Sequence, residues 1–328
     1  MKPTVVVTQR IHAEVVDRLS PHANLVLNQT GQTLPPDEVR RRCRAAQAVM
    51  VFMSDCINDA FLQACPQLRL VAGALKGYDN IDVAACARHG VAVTIVPDLL
   101  TEPTAELAVA LLLGLIRNVA PADREIRCHG FRGWRPEFYG ATLTGKTVAV
   151  LGMGKVGRAI ARRLSGFDAR LVYYDPARLP DDHEAALGLC FQTFPDVLAG
   201  ADHVVLAVPL VPTTVHMIDA AALELVRAGA YLVNVGRGSV VDEAAVAQAL
   251  ARGRLSGYAA DVFEMEDRSL ANRPAAIHPE LLSMSDRTLL TPHLGSAVRD
   301  IRRAIELQAA DEITRLCHKQ PLSDPVSP

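Results

Sequence analysis

Paired cysteines, long apolar segments and an excess of charge are all missing from this sequence. The seven cysteines are scattered without a CxxC pair, which excludes a zinc ribbon and a disulfide framework and is typical of reduced thiols. The longest apolar run, residues 107–116, is far shorter than the roughly 20 residues that a membrane span needs. No long apolar signal segment follows Met1. We therefore expect a cytoplasmic protein that does not insert into a membrane.

Neither acidic nor basic residues are in clear excess. The chain has 34 Lys and Arg against 36 Asp and Glu, a formal net charge of −2. This balance excludes a general electrostatic grip on nucleic acid or acidic membranes and leaves the chemistry of the protein undecided. A hydrophobic share of 50% is ordinary for a globular protein and excludes a disordered chain. Domains commonly hold about 100–200 residues, and 328 residues therefore favour two domains.

Short β-rich runs alternate with helical patterns in the first part of the chain. The predicted strands are 4–8, 25–28, 48–52, 68–74 and 91–95, and the predicted helices are 11–19, 36–46, 59–64 and 83–89. Such alternation predicts an α/β fold in which a doubly wound parallel sheet is covered by helices on both faces.

A second unit is expected to begin near Pro97. Thr101, Glu102 and Pro103 form a typical helix start. The helix that follows, to about residue 119, is apolar on nearly every side, so we expect it to be buried between domains or subunits. A polar and aromatic connection is predicted at 124–145.

The alternation then resumes to the end of the chain. The predicted strands are 148–151, 171–174, 204–207, 232–234, 258–262 and 288–290. Ser296 is predicted to cap a last helix that runs to residue 316. Residues 321–328, rich in proline and serine, are predicted to be a frayed tail.

A GxGxxG turn stands between the strand at 148–151 and a helical pattern. Gly152 permits a tight turn, Gly154 lets a pyrophosphate approach the backbone, and Gly157 lets the helix pack close to the strand. Phosphates are attracted to the free N–H groups and the dipole of such a helix N-terminus. The predicted cofactor contacts of this turn are Gly152, Met153, Gly154, Lys155, Val156 and Gly157.

Asp175 closes the next predicted strand. A carboxylate at this place accepts hydrogen bonds from the adenosine ribose hydroxyls and repels a 2′-phosphate, which favours NAD over NADP. Arg178 nearby weakens that preference without reversing it. The alternative is that Asp175 caps the turn that follows it.

Three later predicted strands end in polar residues. Arg237 follows the strand at 232–234, Glu264 and Glu266 follow the strand at 258–262, and His293 follows the strand at 288–290. Loops beyond the carboxyl ends of parallel strands form the ligand crevice in open α/β sheets. We therefore expect Arg237, Glu266 and His293 to converge there.

The chain resembles the D-isomer-specific 2-hydroxyacid dehydrogenase family over nearly its whole length. The matching segments are GYDNID at 77–82, TAE at 104–106, the glycine turn, GRG at 236–238, DVFEME at 261–266 and TPH at 291–293. The resemblance implies that Arg237 binds the substrate anion, that His293 is the catalytic acid and base, and that Glu266 is its partner. It also implies two similar doubly wound domains, with a Rossmann NAD-binding domain at 100–294 and a discontinuous substrate domain at 1–99 and 295–328.

Within this family, several segments are similar to the phosphite (phosphonate) dehydrogenases. They are ALKGYDN at 74–80, VPDLLT at 96–101, FRGWRP at 131–136, FYG at 138–140 and residues 257–267. Lys76 stands where the general family usually has a small residue, and Asp267 where most members carry proline. The likeness implies that Arg237 and Lys76 hold the oxygens of phosphite while His293 takes a proton from the attacking water.

The chain also departs from the phosphite enzymes. Gly236 stands where cysteine is usual, Ser54 replaces a proline and Arg268 replaces an aromatic residue. None of the three is a proposed proton-transfer or anion-binding group, so we expect them to affect pocket shape and stability more than the reaction.

The resemblance implies further contacts. Arg302 and Met53 are expected at the substrate, and Trp134 and Tyr139 there too, from a partner subunit of a homodimer. The implied cofactor contacts outside the glycine turn are Thr104, Pro209, Asp261 and His293. No metal is expected, because the other histidines lack the spacing of metal ligands.

Three other functions stay open. The first is a conventional D-2-hydroxyacid dehydrogenase acting on glycerate, hydroxypyruvate or a similar small acid. Formate dehydrogenases usually have glutamine where this chain has Glu266, which makes that activity a weaker alternative. The third is a binding protein that senses NAD(H) and recruits partner proteins, against which the intact set of Arg237, Glu266 and His293 argues.

Overall fold

The computed structural model describes residues 2–327 and divides them into two compact units. The first unit contains the chain up to Leu100, a short segment at Arg268–Ala271, and the chain from Ala297 onward. The second unit contains Thr101–Asp267 and Asn272–Ser296. Each has its own sheet and core. Substrate binding by the first unit stays a prediction.

The first unit is built on a five-stranded parallel sheet in the order β2-β1-β3-β4-β5. Its strands are β1 (Thr4–Val7), β2 (Asn24–Leu27), β3 (Ala48–Val51), β4 (Leu70–Gly73) and β5 (Ala92–Thr94). The helices between them are α1 (Ala13–Leu19), α2 (Pro36–Cys43), α3 (Asp59–Ala64) and α4 (Val83–Arg88). Every residue of β3 and β4 is buried, as expected for a parallel sheet with both faces covered.

The second unit begins with two helices, α5 (Thr101–Ile116) and α6 (Val119–His129). The prediction that the first part of 124–145 is an irregular connection is therefore wrong. Asn118, in a left-handed conformation with φ of 53°, ends the apolar helix and turns the chain. The polar residues beyond it form a helix with side-chain pairs four residues apart, an ion pair of Asp123 with Arg127 and a hydrogen bond between Glu125 and Nδ1 of His129.

Half of the residues of α5 are buried, and they lie in the core of the second unit, whereas the predicted position between domains or subunits stays a prediction. Its buried residues include Ala108, Leu112 and Ile116. No single helix within residues 2–327 has both the length and the apolar character to cross a membrane. Among the described residues, α5 and α6 meet both conditions when taken together, and they are bent by 61° at their break.

A seven-stranded parallel sheet forms the rest of the second unit, in the order β12-β11-β10-β9-β6-β7-β8. The strands are β6 (Thr147–Leu151), β7 (Arg170–Tyr174), β8 (Leu189–Phe191), β9 (His203–Leu206), β10 (Ala230–Asn234), β11 (Leu255–Ala260) and β12 (Thr288–Leu290). The helices are α7 (Lys155–Leu164), α8 (Asp181–Leu187), α9 (Phe194–Gly200), α10 (Ala220–Leu225), α11 (Glu243–Ala251) and α12 (Pro279–Ser283). The predicted fold class, two doubly wound parallel-sheet units, is confirmed.

The last helix, α13 (Arg299–Cys317), belongs to the first unit, where Ile305, Ala309 and Ile313 are buried in the core. The prediction that Ser296 caps this helix is wrong. Val298 occupies the N-cap position in an extended conformation and offers no side-chain hydrogen bond.

The prediction of a frayed tail at 321–328 is also wrong for the residues that the structure describes. The backbone N–H of Val326 donates to the carbonyl of Val93 at 2.8 Å, and Pro325 forms a bridge with Thr94. Val326 also packs against the core of the first unit. The tail therefore pairs with the backbone of β5, which its proline and serine content did not indicate. Pro328 lies outside the described residues.

Candidate active site and cofactor cradle

Two of the three glycines in the turn leave no room for a side chain, and the third faces open space. Gly152 has φ of +88°, and a Cβ there would lie 2.7 Å from the carbonyl oxygen of Ala207. A Cβ on Gly157 would lie 1.9 Å from the carbonyl oxygen of Gly152, so α7 packs tightly on β6. A Cβ on Gly154, in contrast, would meet nothing within 4 Å. Space therefore remains where a dinucleotide pyrophosphate approaches the backbone.

Helix α7 points its N-terminus at this open side. Gly154 is its N-cap and provides no side-chain hydrogen bond, so no side chain of the cap competes for the first N–H groups. Lys155 and Val156, two predicted cofactor contacts, occupy the first positions of the helix. The turn and the helix therefore fit a bound dinucleotide.

Asp175 both ends β7 and braces the glycine turn. One oxygen of its carboxylate accepts the N–H of Met153 at 2.7 Å, and the other accepts the N–H of Ala177 at 2.9 Å. The turn-capping role left open by the sequence is therefore present. The carboxylate still stands next to the glycine turn, which is where the cofactor role requires it.

Arg178 is held by acidic partners. Its Nε and Nη2 donate to the two oxygens of Glu184, each at 2.9 Å, and Nη2 also reaches Asp181 at 3.2 Å. Arg178 lowers the pKa of Glu184 from its ordinary value of 4.5 to about 2. Burial and the Glu184 carboxylate raise the pKa of Tyr173, whose hydroxyl donates to Glu184 at 2.6 Å, to about 12. The positive charge of Arg178 is thus offset locally, which leaves Asp175 to set the charge of the site.

Two further predicted cofactor contacts have defined neighbours. Thr104 lies in the first turn of α5, and its Oγ1 would be 3.1 Å from a Cβ on Gly295, two residues after His293. Pro209 follows β9, and its carbonyl accepts the hydroxyl of Thr214 at 2.8 Å. The cofactor contacts of both residues stay predictions.

His293 and Glu266 form a hydrogen-bonded pair. Strands β11 and β12 are neighbours in the sheet, and the loops that follow them carry Glu266 and His293 respectively. Nδ1 of His293 lies 2.8 Å from Oε2 of Glu266. Oε1 of the same carboxylate accepts the N–H of Phe263 at 2.8 Å, so both of its oxygens are held. This arrangement leaves Nε2 as the ring nitrogen for proton transfer with a substrate.

The backbone of His293 is held in an uncommon conformation. Its φ is 55°, in the left-handed region, and its N–H donates to the carbonyl oxygens of Asp261 and Thr291 at 2.9 and 3.0 Å. The Asp261 carboxylate accepts Thr291 Oγ1 at 2.7 Å and the N–H groups of Leu294 and Gly295 at 2.6 and 2.8 Å. Burial raises the pKa of Asp261. Asp261 therefore organises the loop that carries His293, and its predicted contact with the cofactor stays a prediction.

Glu264, the second carboxylate of the motif, has partners of its own. It accepts the N–H of Glu243 at 2.8 Å and contacts Nε2 of His216 at 3.0 Å. Glu243 accepts the N–H of Glu264 in return at 2.9 Å, and burial raises the pKa of Glu243. Sequence reasoning missed Glu243 and His216, because neither belongs to a motif. Their bonds fix the turn from which Glu266 projects.

Arg237 sits in a tightly held turn after β10. The side chain of Asn234 donates to the carbonyl of Arg237 at 2.9 Å and accepts the N–H of Gly236 at 3.0 Å. A Cβ on Gly236 would lie 2.5 Å from the carbonyl oxygen of Val208, so this backbone has no room for the cysteine that is usual in phosphite enzymes. Gly238 lies against Phe263, because a Cβ on Gly238 would lie 1.9 Å from the carbonyl carbon of Phe263. The structure thus brings the Arg237 turn and the Glu266 turn together.

In the first unit, Arg302 lies beside the segment that carries Lys76. Its Nη1 donates to the carbonyl of Ala74 at 3.2 Å, and its guanidinium lies 5.4 Å from the ring centre of Phe52. Burial lowers the pKa of Arg302. Met53 and Lys76, both half-buried, follow β3 and β4. Three predicted substrate contacts are therefore gathered at the carboxyl ends of two neighbouring strands.

Trp134 and Tyr139 lie in the segment after α6. Their side chains are 76% and 64% exposed, and their rings contact each other with centres 5.5 Å apart. Their role in a partner subunit's site stays a prediction.

Comparison with known proteins gives a consistent result. The profile of the D-isomer specific 2-hydroxyacid dehydrogenase NAD binding domain matches residues 109–295. A curated relative, the glyoxylate reductase of Pyrococcus furiosus, is 36% identical over 310 residues, which cover 93% of this chain and 89% of the relative.

Solved structures agree with this match. A putative D-isomer specific 2-hydroxyacid dehydrogenase from Polaromonas is 29% identical with a TM-score of 0.88, and the match covers 100% of both chains. The NADPH-dependent glyoxylate/hydroxypyruvate reductase of Sinorhizobium meliloti, solved with NADP and malonate, is 30% identical with a TM-score of 0.83. The match covers 99% of this chain and 97% of that one.

Proposed function

Because the chain belongs to the D-isomer-specific 2-hydroxyacid dehydrogenase family, we propose that it is an NAD-dependent oxidoreductase with His293 as its acid and base, and that its substrate is phosphite. The observation that carries the reaction class is the 2.8 Å contact between His293 Nδ1 and Glu266 Oε2 in the NAD-binding unit. A carboxylate that accepts a bond from Nδ1 fixes the ring and its tautomer and stabilises the imidazolium that proton uptake creates.

Oxidation of phosphite breaks a P–H bond and forms a P–O bond to the oxygen of a water molecule. The hydrogen leaves phosphorus with both bonding electrons, and the oxidised nicotinamide ring supplies the acceptor for this hydride. Nε2 of His293 takes the proton that the water loses as it attacks, and later releases it to solvent. Glu266, with both oxygens held, keeps the imidazole in place through this cycle.

The cationic side chains suit a compact oxyanion. The proposal assigns Arg237 and Lys76 to the phosphite oxygens, because guanidinium and ammonium groups form strong charge-assisted hydrogen bonds to such anions. Arg302 adds a partly buried positive charge beside the segment that carries Lys76. Phosphite carries more negative charge than a monocarboxylate, which favours a site with several cations.

A second candidate is a small 2-hydroxy or 2-keto acid of the glyoxylate, hydroxypyruvate or glycerate type. The names of the relatives favour this candidate over phosphite, since they describe glyoxylate and hydroxypyruvate reductases. The segments around Lys76, Trp134 and Asp267 favour phosphite. With a keto acid, His293 would protonate the carbonyl oxygen, and no water would react.

We also propose NAD rather than NADP as the working cofactor, a cytoplasmic enzyme and a homodimer. Asp175 supports the cofactor choice through its negative charge beside the glycine turn. Exposed apolar side chains support an interface along α6 and the segment after it. These side chains are Val119, Ile126, Phe131 and Trp134, which are 57%, 53%, 81% and 76% exposed.

The substrate is tested by following reduced nicotinamide with NAD⁺ plus phosphite, D-lactate, D-glycerate or formate, and in the reverse direction with NADH plus glyoxylate or hydroxypyruvate. We expect the highest kcat/KM with phosphite. Replacing Lys76 by alanine should raise the KM for phosphite strongly. The control variant Lys319→Ala, which removes an exposed lysine of the same unit, should leave this KM unchanged. Turnover of a hydroxy or keto acid without turnover of phosphite would select the second candidate. Tight NAD⁺ binding without any turnover would select the NAD(H)-sensing function.

A further inference from the structure

Asp267 directly follows Glu266 in the sequence, and its own chemistry is not used by the reaction above. Its side chain is buried, with the residue only 2% exposed. Oδ2 accepts the backbone N–H of Ser239 at 2.6 Å. A buried carboxylate that accepts an N–H at this distance forms a charge-assisted bond, which is stronger than a neutral one and costly to remove.

Ser239 lies two residues after Arg237, in the short turn Gly238–Val240. The same turn is held from a second side by Gly238, which lies against Phe263 without room for a Cβ. Asn234 holds it from a third side through the carbonyl of Arg237. The bond from Asp267 is therefore one of three contacts that fix where the backbone of Arg237 stands.

The segment that carries Asp267 also carries Glu266, the partner of His293. Glu266 bonds the N–H of Phe263 with one oxygen and Nδ1 of His293 with the other. Residues 263–267 therefore hold His293 through Glu266 and hold the Arg237 turn through Asp267 and Phe263. A shift of one turn relative to the other would move the anion-binding side chain relative to the acid and base.

We propose that Asp267 is a positioning residue that keeps Arg237 in register with the His293–Glu266 pair. The inference rests on the proposed function only in that Arg237 binds the substrate anion, which holds for phosphite and for a hydroxy acid alike. A misplacement of about 1 Å at a catalytic centre costs on the order of 100-fold in rate. Asp267 contributes by preventing such a misplacement, without touching the substrate.

The test compares Asp267→Asn and Asp267→Ala with the wild-type enzyme, on the substrate that the wild type turns over. Asn keeps the shape and one acceptor oxygen without the charge, whereas Ala removes the acceptor. We expect kcat/KM to fall roughly 10-fold for Asn and about 100-fold for Ala, mainly through a higher KM for the anion. The dissociation constant of NAD⁺, measured by fluorescence titration, is expected to stay unchanged.

Asp219→Ala is the matched control. The Asp219 carboxylate also accepts one backbone N–H, that of Ala222 at 2.8 Å, but it caps α10. We expect this variant to lose thermal stability and to keep the kinetic constants of the wild type. If Asp267 has only the same structural role, Asp267→Asn will likewise unfold at lower temperature and keep the wild-type KM, and that result would overturn the proposal.

A double-mutant cycle gives a second readout. Arg237→Lys combined with Asp267→Asn should lose less activity than the product of the two single losses, because both act through the placement of the same guanidinium. Fully multiplicative losses would contradict the inference. Should Asp267→Ala fail to fold, the Asn variant and this cycle decide. A wild type with no turnover of phosphite refutes the proposed substrate alone, since the Asp267 test then runs on the acid that is turned over.

Discussion

Oε2 of Glu266 lies 2.8 Å from Nδ1 of His293, although the two residues are 27 positions apart in sequence. The contact exists because β11 and β12 are parallel neighbours, so the loops after their carboxyl ends meet at one edge of the sheet. Glu266 is held by the N–H of Phe263, and His293 is held by two backbone carbonyls. The backbone of the protein therefore holds both members of the pair in place.

Replacing His293 by alanine should abolish most of the activity. Loss of a general acid and base typically lowers kcat by about 10²–10⁴-fold, and Glu266→Gln should give a smaller loss because the ring stays in place without its anionic partner. Stopped-flow measurement of hydride transfer checks both. NAD⁺ affinity should remain near that of the wild type. A His293→Ala enzyme with wild-type kcat would remove this residue as the base.

The two glycines of the turn should respond differently to the same change. Gly154→Ala adds a Cβ that meets no protein atom within 4 Å, so the folded chain should keep its stability and lose affinity for NAD⁺. Gly157→Ala adds a Cβ 1.9 Å from the carbonyl oxygen of Gly152, so it should lower the melting temperature. Calorimetry and NAD⁺ titration distinguish them. Equal effects of the two variants on both quantities would contradict the described packing.

Cofactor choice should depend on Asp175 more than on Arg178. Asp175→Ala removes the negative charge beside the glycine turn and should raise kcat/KM for NADP⁺ relative to NAD⁺ by at least about 10-fold, which corresponds to roughly 1.4 kcal/mol. Arg178→Ala should change NAD⁺ kinetics little, because Glu184 already holds this guanidinium. Steady-state kinetics with both cofactors provide the check. An unchanged cofactor ratio in Asp175→Ala would refute this role.

The Arg178–Glu184 contact predicts how stability changes with pH. The pKa of Glu184 falls from 4.5 to about 2 in the folded chain, because Arg178 and Tyr173 donate to its carboxylate. Its stabilising contribution is therefore complete above pH 4.5 and is lost as the pH falls through about 2. Unfolding by urea should show wild type more stable than Glu184→Gln near neutral pH, with a smaller difference at about pH 3. If the stability difference between wild type and Glu184→Gln grew on acidification, the predicted direction of the pH dependence would be wrong.

The sequence predicted the parts of this molecule that depend on local patterns. Alternating β-rich and helical runs indicated the two parallel sheets, and the GxGxxG turn showed where β6 meets α7. The pairing of His293 with Glu266 followed from family motifs, because no local rule links residues at the ends of different strands.

Features that depend on distant backbone partners could not be predicted. The backbone N–H of Val326 donates to the carbonyl of Val93, and the carboxylates of Glu243 and Glu264 each accept the backbone N–H of the other residue. The proline and serine content of residues 321–328 predicted a frayed tail, and no sequence pattern indicated a role for Glu243. The polar helix α6 was missed for a related reason: its side chains pair four residues apart along the helix, and an apolar periodicity does not reveal such pairs.

Phosphite labelled with deuterium on phosphorus tests the central claim most directly. The account predicts that the purified enzyme converts it with NAD⁺ into phosphate and singly deuterated reduced nicotinamide in equal amounts, and that deuterium slows the hydride-transfer step. Incubation with unlabelled phosphite in ¹⁸O-labelled water should place one labelled oxygen in the phosphate. Absence of deuterium from the reduced cofactor, or reduction of glyoxylate without any reaction of phosphite, would contradict it.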